Sequence, residues 1–441
     1  MKIAYLTAGA AGMVCGSCLH DNTLAKELIQ QGHDAILIPT YTPIMTDEAS
    51  VSSDKLFYGG LNVYLQQVFP PFRWLPNWAD QFLSSPKLVG WVASRAMGTS
   101  AGNLGALTVS MLKGRDGFQR REVQRLCAWL KTQAPEVVVF SNLLIAGCLS
   151  ELKRQIGVPV VVILQGDDIF YDGLPEPYRT RALVELRKLA QQVDLFIVHS
   201  RDYGLRMQTM LGFSDHSWAV SPLSIDTRDF RTLSFAADRS SRPPTIGYLA
   251  RLAPEKGLHL LVDAFIALQS NSINGNSISD EATLDDTQLA IAGWLGKQQE
   301  SYWQEQLDKL SAAGLDQRVR YYGSVDRAGK LAFLAAIDVL CVPTTYLEPK
   351  GLFVLEGLAA GVPYLQPAHG AFPEMHARLG GGLLFDPQNP HALAERLREM
   401  LNDRAGLRAL GESGRQSVFQ RASIDHEARN FVTLLKERLQ V

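Results

Sequence analysis

The chain has 441 residues, with 43 Lys and Arg against 45 Asp and Glu, a formal charge of -2 at pH 7. That length exceeds what one hydrophobic core sustains, so two domains are expected, and the near-neutral charge excludes a general attraction to nucleic acid or anionic lipid. The cysteines Cys15, Cys18, Cys127, Cys148 and Cys341 are odd in number and too sparse for a disulfide framework, and no run of 18 apolar residues offers a membrane span. A cytoplasmic protein is expected, with peripheral contact at the inner membrane face left open and the oligomeric state unspecified.

Residues 2–7 form an apolar run, followed by a Gly/Ala loop, a helical pattern over 19–31 closed by Gly32, and a second apolar run over 35–39: a β-α-β unit. Residues 41–117 break this cadence and carry Phe69, Phe72, Trp74, Trp78, Phe82 and Trp91 among prolines. They read as a packed inserted subdomain, with an aromatic acceptor or membrane surface as the alternative. The cadence resumes with strands at 137–140, 158–164 and 195–198 and helices at 143–156, 177–192 and 201–211, which implies a parallel sheet covered on both faces.

The pattern stops between residues 214 and 244, and 231–244 mixes Ser, Arg and Asp with two prolines. We read 231–244 as a linker from an N-terminal domain, 1–230, to a second α/β domain, 245–420. The second domain has expected strands at 246–249, 289–292, 319–322 and 339–342, and helices starting near Glu255, Gln298, Arg327 and Leu352. Residues 270–287 read as a solvated loop. The architecture predicted is α/β, with two doubly wound Rossmann-like domains and a ligand cleft at the carboxyl ends of their strands.

The sharpest motif is Glu348-Pro349-Lys350-Gly351-Leu352-Phe353-Val354-Leu355-Glu356. Pro349 and Gly351 favour a turn, so a helix opens near Leu352 with unpaired N–H groups suited to phosphate. Glu356, about one turn in, can accept hydrogen bonds from paired ribose hydroxyls, and Glu348 can reach sugar hydroxyls. Upstream, Arg251 and Lys256 follow a strand and supply two cations for a departing diphosphate without an obligatory metal.

These two motifs, in this order and spacing, resemble the retaining glycosyltransferases of family 4, the group of glycogen synthase and sucrose-phosphate synthase. The resemblance extends over most of the chain and is strongest between Gly247 and Pro363. It implies a GT-B fold, with the two domains facing each other across a cleft and the last helix, within 421–441, crossing back to the first domain. It also implies a hexosyltransferase using a UDP- or GDP-linked sugar, with no cofactor and an acceptor that is a glycan, lipid or small-molecule hydroxyl. Arg251 and Lys256 would hold the donor phosphates, Glu356 the ribose and Glu348 the sugar. Gly351, Leu352 and Phe353 would add backbone contacts, with Tyr322 and Gly323 near the base.

On the acceptor side, relatives carry a Gly-Gly pair after the first strand, whereas Gly9 to Cys18 here offers Gly12 and Gly16 for close backbone approach. Cys15 and Cys18 read as packing residues, since no partner pair or His cluster accompanies them. Where relatives place a histidine, this chain has Gln165, followed by Gly166, Asp167 and Asp168. Glutamine cannot act as a base, so the acceptor proton falls to the leaving phosphate or to Asp167 or Asp168, whose alternative role is a turn or helix cap.

Three rivals remain at this level: a GT-B epimerase or phosphorylase, a non-catalytic nucleotide-sugar-binding relative, and a nicotinamide oxidoreductase. The last fits poorly, because Gly9, Gly12 and Gly16 miss the dinucleotide spacing and the second strand ends at Pro39 without an acidic residue.

Overall fold

The structure, a computed structural model, describes residues 1–9, 16–44, 46–53, 57, 101–233, 242–273 and 284–440. The aromatic residues of the expected insertion from Phe69 to Trp91 lie outside this set, as do Gly12 and Cys15.

The chain divides into two compact units, Met1–Pro222 with Ala428–Val441, and Leu223–Glu427. The first contains β1 (Lys2–Thr7), α1 (Gly16–Gln30), β2 (Asp34–Pro39), α2 (Ala101–Leu112), α3 (Arg120–Gln133), β3 (Val137–Phe140) and α4 (Leu149–Gln155). It continues with β4 (Val160–Leu164), α5 (Asp167–Asp172), α6 (Tyr178–Ala190), β5 (Leu195–Val198), α7 (Arg201–Leu211) and β6 (Trp218–Val220). Among the described residues its strands form one parallel sheet, in the order β2-β1-β3-β4-β5-β6. The sequences VVVF of β3 and VVVIL of β4 are buried throughout, as a sheet covered on both faces requires.

The second unit begins with α8 (Arg228–Arg231), β7 (Thr245–Leu249), α9 (Leu258–Ile273), β8 (Gln288–Ala292), α10 (Glu300–Ala312), β9 (Val319–Tyr321) and α11 (Arg327–Ala336). There follow β10 (Val339–Cys341), α12 (Leu352–Ala359), β11 (Tyr364–Pro367), α13 (Phe372–Leu379), β12 (Gly382–Phe385), α14 (Ala392–Asn402) and α15 (Arg404–Arg421). Its sheet runs β12-β11-β10-β7-β8-β9, all parallel, which is the doubly wound order. Local signals place the helices: Asp326 caps α11 by accepting from Gly329 N–H, and Asp403 caps α15 by accepting from Gly406 N–H. The last helix, α16 (Ile424–Leu439), starts in the second unit and continues in the first.

Four details differ from the sequence reading. Residues 143–156 are not one helix: a 3-10 turn at Leu143–Cys148 precedes α4, and a Cβ on Gly147 would lie 2.0 Å from Met111 O, so the chain there is pressed against α2. β6 falls inside the segment read as patternless; its three residues are too few for periodicity, and it is placed by Trp218, whose ring packs where a Cβ on Gly204 would sit 2.2 Å away. The supposed loop over 270–287 is helical as far as Ile273. The unit boundary at Pro222 precedes the composition shift at 231–244, because residues after it pack into the second unit. Ile225 N–H donates to Ala422 O at 3.0 Å, Ile424 N–H donates to Ile225 O at 2.9 Å, and Phe230 is fully buried in that core.

Candidate functional site

In the second sheet the strand order reverses between β7 and β10, and ligands of doubly wound sheets bind outside the carboxyl ends at that point. The loops leaving β7 and β10 are tied together there. Thr345 N–H donates to Glu255 O at 3.0 Å, and Gly257, at φ +74°, approaches so closely that a Cβ would sit 1.8 Å from Pro343 O. This closeness sets the position of the residue before it, Lys256.

Lys256 Nζ lies 2.7 Å from Glu348 Oε2 and 2.5 Å from Tyr346 Oη, and it stands 4.9 Å from the Tyr346 ring centroid and 5.7 Å from that of Phe353. Tyr346 Oη donates in turn to Glu348 Oε2. The other oxygen of Glu348 accepts from Gly351 N–H at 3.3 Å and more loosely from Lys350 N–H at 3.4 Å. The loop after β11 closes the back of the cluster, with Ala371 N–H donating to Glu348 O at 2.8 Å. Burial by itself would push the Glu348 carboxyl up. The charge and hydrogen bond of Lys256, with the Tyr346 hydroxyl and Gly351 N–H, outweigh it and hold the carboxyl at about 2. The Tyr346 hydroxyl moves the other way, well above the usual phenol range, through burial and the adjacent carboxylate.

Gly351, at φ +70°, is the N-cap of α12, so Leu352 and Phe353 stand in its first turn beside Lys256 and Glu348. Glu356 is also buried, but its partner is Lys330 of α11, which donates to Oε1. Tyr322, 37% exposed at the end of β9, packs edge-on against Phe333 of α11 with centroids 5.4 Å apart, while the Arg320 guanidinium lies 4.7 Å from its ring centroid. Gly323 follows at φ +69° with open space about its Cα. Arg251 is exposed and engages Glu255 at 2.5 Å rather than Glu348. The structure therefore gathers Lys256, Glu348, Gly351, Leu352 and Phe353 in one cluster. Glu356 and Tyr322, which Gly323 follows, are grouped separately around α11, and Arg251 pairs with Glu255 outside that cluster.

Sequence reasoning missed Tyr346 and Lys330. Tyr346 lies two residues before Glu348, inside the motif itself. Lys330 is a lone lysine in Ala328-Gly329-Lys330-Leu331-Ala332-Phe333, an apolar context in which a buried charge needs a partner.

In the first unit, the sheet order reverses between β1 and β3. Beneath that point lies buried Asp21, whose carboxylate accepts from Tyr5 Oη at 2.7 Å, Thr7 Oγ1 at 2.6 Å and Gln165 Nε2 at 2.8 Å. Gly166, at φ +112°, leads into α5. Asp167 is buried and accepts from Leu143 N–H at 2.7 Å and Gln165 N–H at 3.1 Å, so both of its oxygens hold backbone. Burial raises its carboxyl to about 7 against the opposing pull of those bonds. Tyr203 Oη accepts from Gly166 and Asp167 N–H and donates to Asp168 Oδ1 at 2.9 Å, and Asp168 also pairs with Arg206 at 3.2 Å. Gln165, Asp167 and Asp168 thus brace the loops after β3 and β4, while Gly16 lies exposed at the start of α1.

A doubly wound unit with charged side chains at its switch point has the general form of a ligand-binding α/β domain. Residues 229–417, a little under half of the chain, match the family described as glycosyl transferases group 1. A GDP-mannose-dependent monoacylated alpha-(1-6)-phosphatidylinositol monomannoside mannosyltransferase of Corynebacterium glutamicum is 25% identical over 274 residues, 59% of this chain and 65% of that protein. A glycogen synthase of Mycobacterium tuberculosis is 31% identical over 185 residues, 42% of this chain and 40% of that protein. The chain therefore spans less than two thirds of the length of these relatives. Among solved structures, a sucrose-phosphate synthase from Thermosynechococcus elongatus superposes with a TM-score of 0.67 at 18% identity, covering 99% of each chain. An Anabaena protein in complex with UDP and glucose superposes with a TM-score of 0.65 at 16% identity, covering 99% of this chain and 100% of that one. These likenesses establish the GT-B fold.

No helix among the described residues is long and apolar enough to cross a membrane.

Proposed function

We propose that this protein is a retaining hexosyltransferase, of the family 4 type, that moves a sugar from a nucleoside diphosphate to an acceptor hydroxyl without an obligatory metal. The donor is UDP- or GDP-linked, since the Corynebacterium relative is named for GDP-mannose and the Anabaena structure holds UDP and glucose. The observation that carries the reading is the buried Lys256–Glu348 pair at the switch point, beside the N-terminus of α12.

In this reading the diphosphate sits at the first turn of α12, where the N–H groups of Leu352 and Phe353 meet it and the helix dipole favours negative charge. Lys256 and, after leaving Glu255, Arg251 offset the charge that develops as the bond from the anomeric carbon to the diphosphate oxygen breaks. The acceptor oxygen bonds to that carbon from the same face, and its proton passes to the departing phosphate oxygen. Asp167 is not needed as a base and is occupied with backbone N–H groups. Glu348 orients the sugar hydroxyls, Glu356 takes the ribose, and Tyr322 with Gly323 borders the base. Gly12, Gly16 and the loop carrying Gln165, all in the first unit, are assigned to the acceptor.

The test is a screen of UDP- and GDP-sugars with metal chelated, reading product anomers by NMR. Transfer with retained configuration, abolished in Lys256→Ala and Glu348→Ala, is expected. Inverted product, or donor isomerised with no acceptor present, would overturn the reading.

A further inference from the structure

Lys330 and Glu356 form an ion pair whose side chains are 8% and 7% exposed. Burying two charges gains little stability over a well-packed apolar pair, so such a pair points to a need for the carboxylate itself. Lys330 takes Glu356 Oε1, and among the described residues Glu356 Oε2 accepts no hydrogen bond. The same helix, α11, carries Phe333 one turn on, against the edge of the Tyr322 ring. One capped helix therefore backs both the carboxylate and the ring assigned above to the ribose and the base.

We infer that Lys330 is a positioning residue for the donor: by holding one oxygen of Glu356 it turns the other toward the paired hydroxyls of a ribose, and so makes the site selective for ribonucleotides over 2′-deoxyribonucleotides. The inference rests on the donor reading above. Two vicinal hydroxyls can both donate to a fixed carboxylate, whereas a 2′-deoxyribose leaves part of its acceptor capacity unmet in a nearly buried place. A carboxylate released from Lys330 turns freely and reads the sugar less sharply.

The experiment is calorimetric titration of the full chain with UDP, GDP and their 2′-deoxy forms, for wild type, Lys330→Met, Lys330→Arg, Glu356→Gln and the Lys330→Met/Glu356→Gln pair. Wild type should bind one ribonucleotide about tenfold or more tightly than its deoxy form, the value of one charge-assisted hydrogen bond. Lys330→Met should erase most of that ratio, Lys330→Arg should restore part of it, and the double variant should lose no more than Glu356→Gln does. Thermal melts of each variant report folding, and the double variant, which leaves no unpaired buried charge, serves if Lys330→Met does not fold. A lowered melting temperature with the ribo-to-deoxy ratio intact would overturn the role of Lys330 and leave the donor reading standing. Failure of wild type to bind any of the nucleotides would overturn the donor reading and this inference with it.

Discussion

Lys256 and Glu348 are 92 residues apart in sequence and 2.7 Å apart in space, because β7 and β10 are neighbours at the point where the sheet order reverses. The pair is the more buried of two ion pairs on these loops, the other being Arg251 with Glu255. Each charge answers the other, so under the proposed function an entering diphosphate would compete with Glu348 for Lys256 and the sugar with Lys256 for Glu348.

The first consequence is acid sensitivity. The Glu348 carboxyl is held at about 2 in the folded chain against an ordinary value of 4.5, so it contributes stability that is present above 4.5 and is lost as pH falls toward 2. Lys256→Met removes the main counter-charge and leaves a buried carboxylate unpaired, at a cost of about 3 kcal/mol near neutral pH. Chemical denaturation from pH 7 down to pH 3 should show wild type losing stability over that window, with the variant already weakened at pH 7 and losing less. Equal pH slopes in the two would contradict the pairing.

Tyr346→Phe tests whether the phenol matters for more than packing. The variant keeps the ring beneath Lys256 but deletes the hydroxyl that accepts from Lys256 and donates to Glu348. A stability loss of about 1–2 kcal/mol is expected from the missing bonds. Under the proposed function kcat/KM for the donor should fall roughly tenfold, since Lys256 and Glu348 lose their common anchor. Steady-state kinetics at saturating acceptor measures this, and unchanged kinetics would make Tyr346 a packing residue.

How far the sequence carries the fold and the site depends on what each feature asks of its neighbours. β3 and β4 were legible as runs of valine because buried parallel strands need only local burial and β-branching. The β7 loop and the 348–356 motif were legible because a strand, a turn glycine and a helix start leave marks within a few residues. The partners were not: Lys330 and Glu356 belong to helices far apart in sequence, and nothing local to either names the other. Gln165 and Asp167 likewise have partners that nothing local to them names. Their place after a strand suggested a reacting sugar, but Gln165 donates to Asp21, 144 residues away, and Asp167 takes backbone N–H groups of its own loop and of Leu143. β11 and β12 went unassigned because YLQP and GLLF lack the unbroken β-branched run that marks β3 and β4.

Asp167 gives a pH dependence of opposite sign. Its carboxyl, ordinarily near 3.8, is raised to about 7 by burial, so the folded chain binds a proton more readily than the unfolded chain between those values. Its contribution to stability is full below 3.8 and is lost as pH rises through about 7. Asp167→Asn cannot titrate, so the stability of the first unit should change less between pH 4 and pH 8 in the variant than in wild type. Hydrogen exchange on β3 and β4 across that range isolates the first unit, and identical profiles would show that Asp167 keeps its charge when folded.

The closest approach between the β7 and β10 loops offers a controlled comparison of two glycines in one unit. Gly257 and Gly314 have nearly the same backbone conformation, φ +74° and φ +70°. An added methyl group at Gly314 meets nothing within 4 Å, whereas at Gly257 it would sit 1.8 Å from Pro343 O. Gly314→Ala should therefore cost about 1 kcal/mol, the strain of a left-handed non-glycine residue alone. Gly257→Ala must also push the β10 loop away and break the Thr345–Glu255 backbone bond, for about 3 kcal/mol or more. Because that displacement carries Lys256 away from Glu348, under the proposed function Gly257→Ala should weaken nucleoside diphosphate binding while Gly314→Ala leaves it intact. Urea midpoints and nucleotide titrations of the two variants measure both effects. Equal destabilisation would mean that the two loops yield to each other without strain, and that Lys256 is not held in place by the backbone beside it.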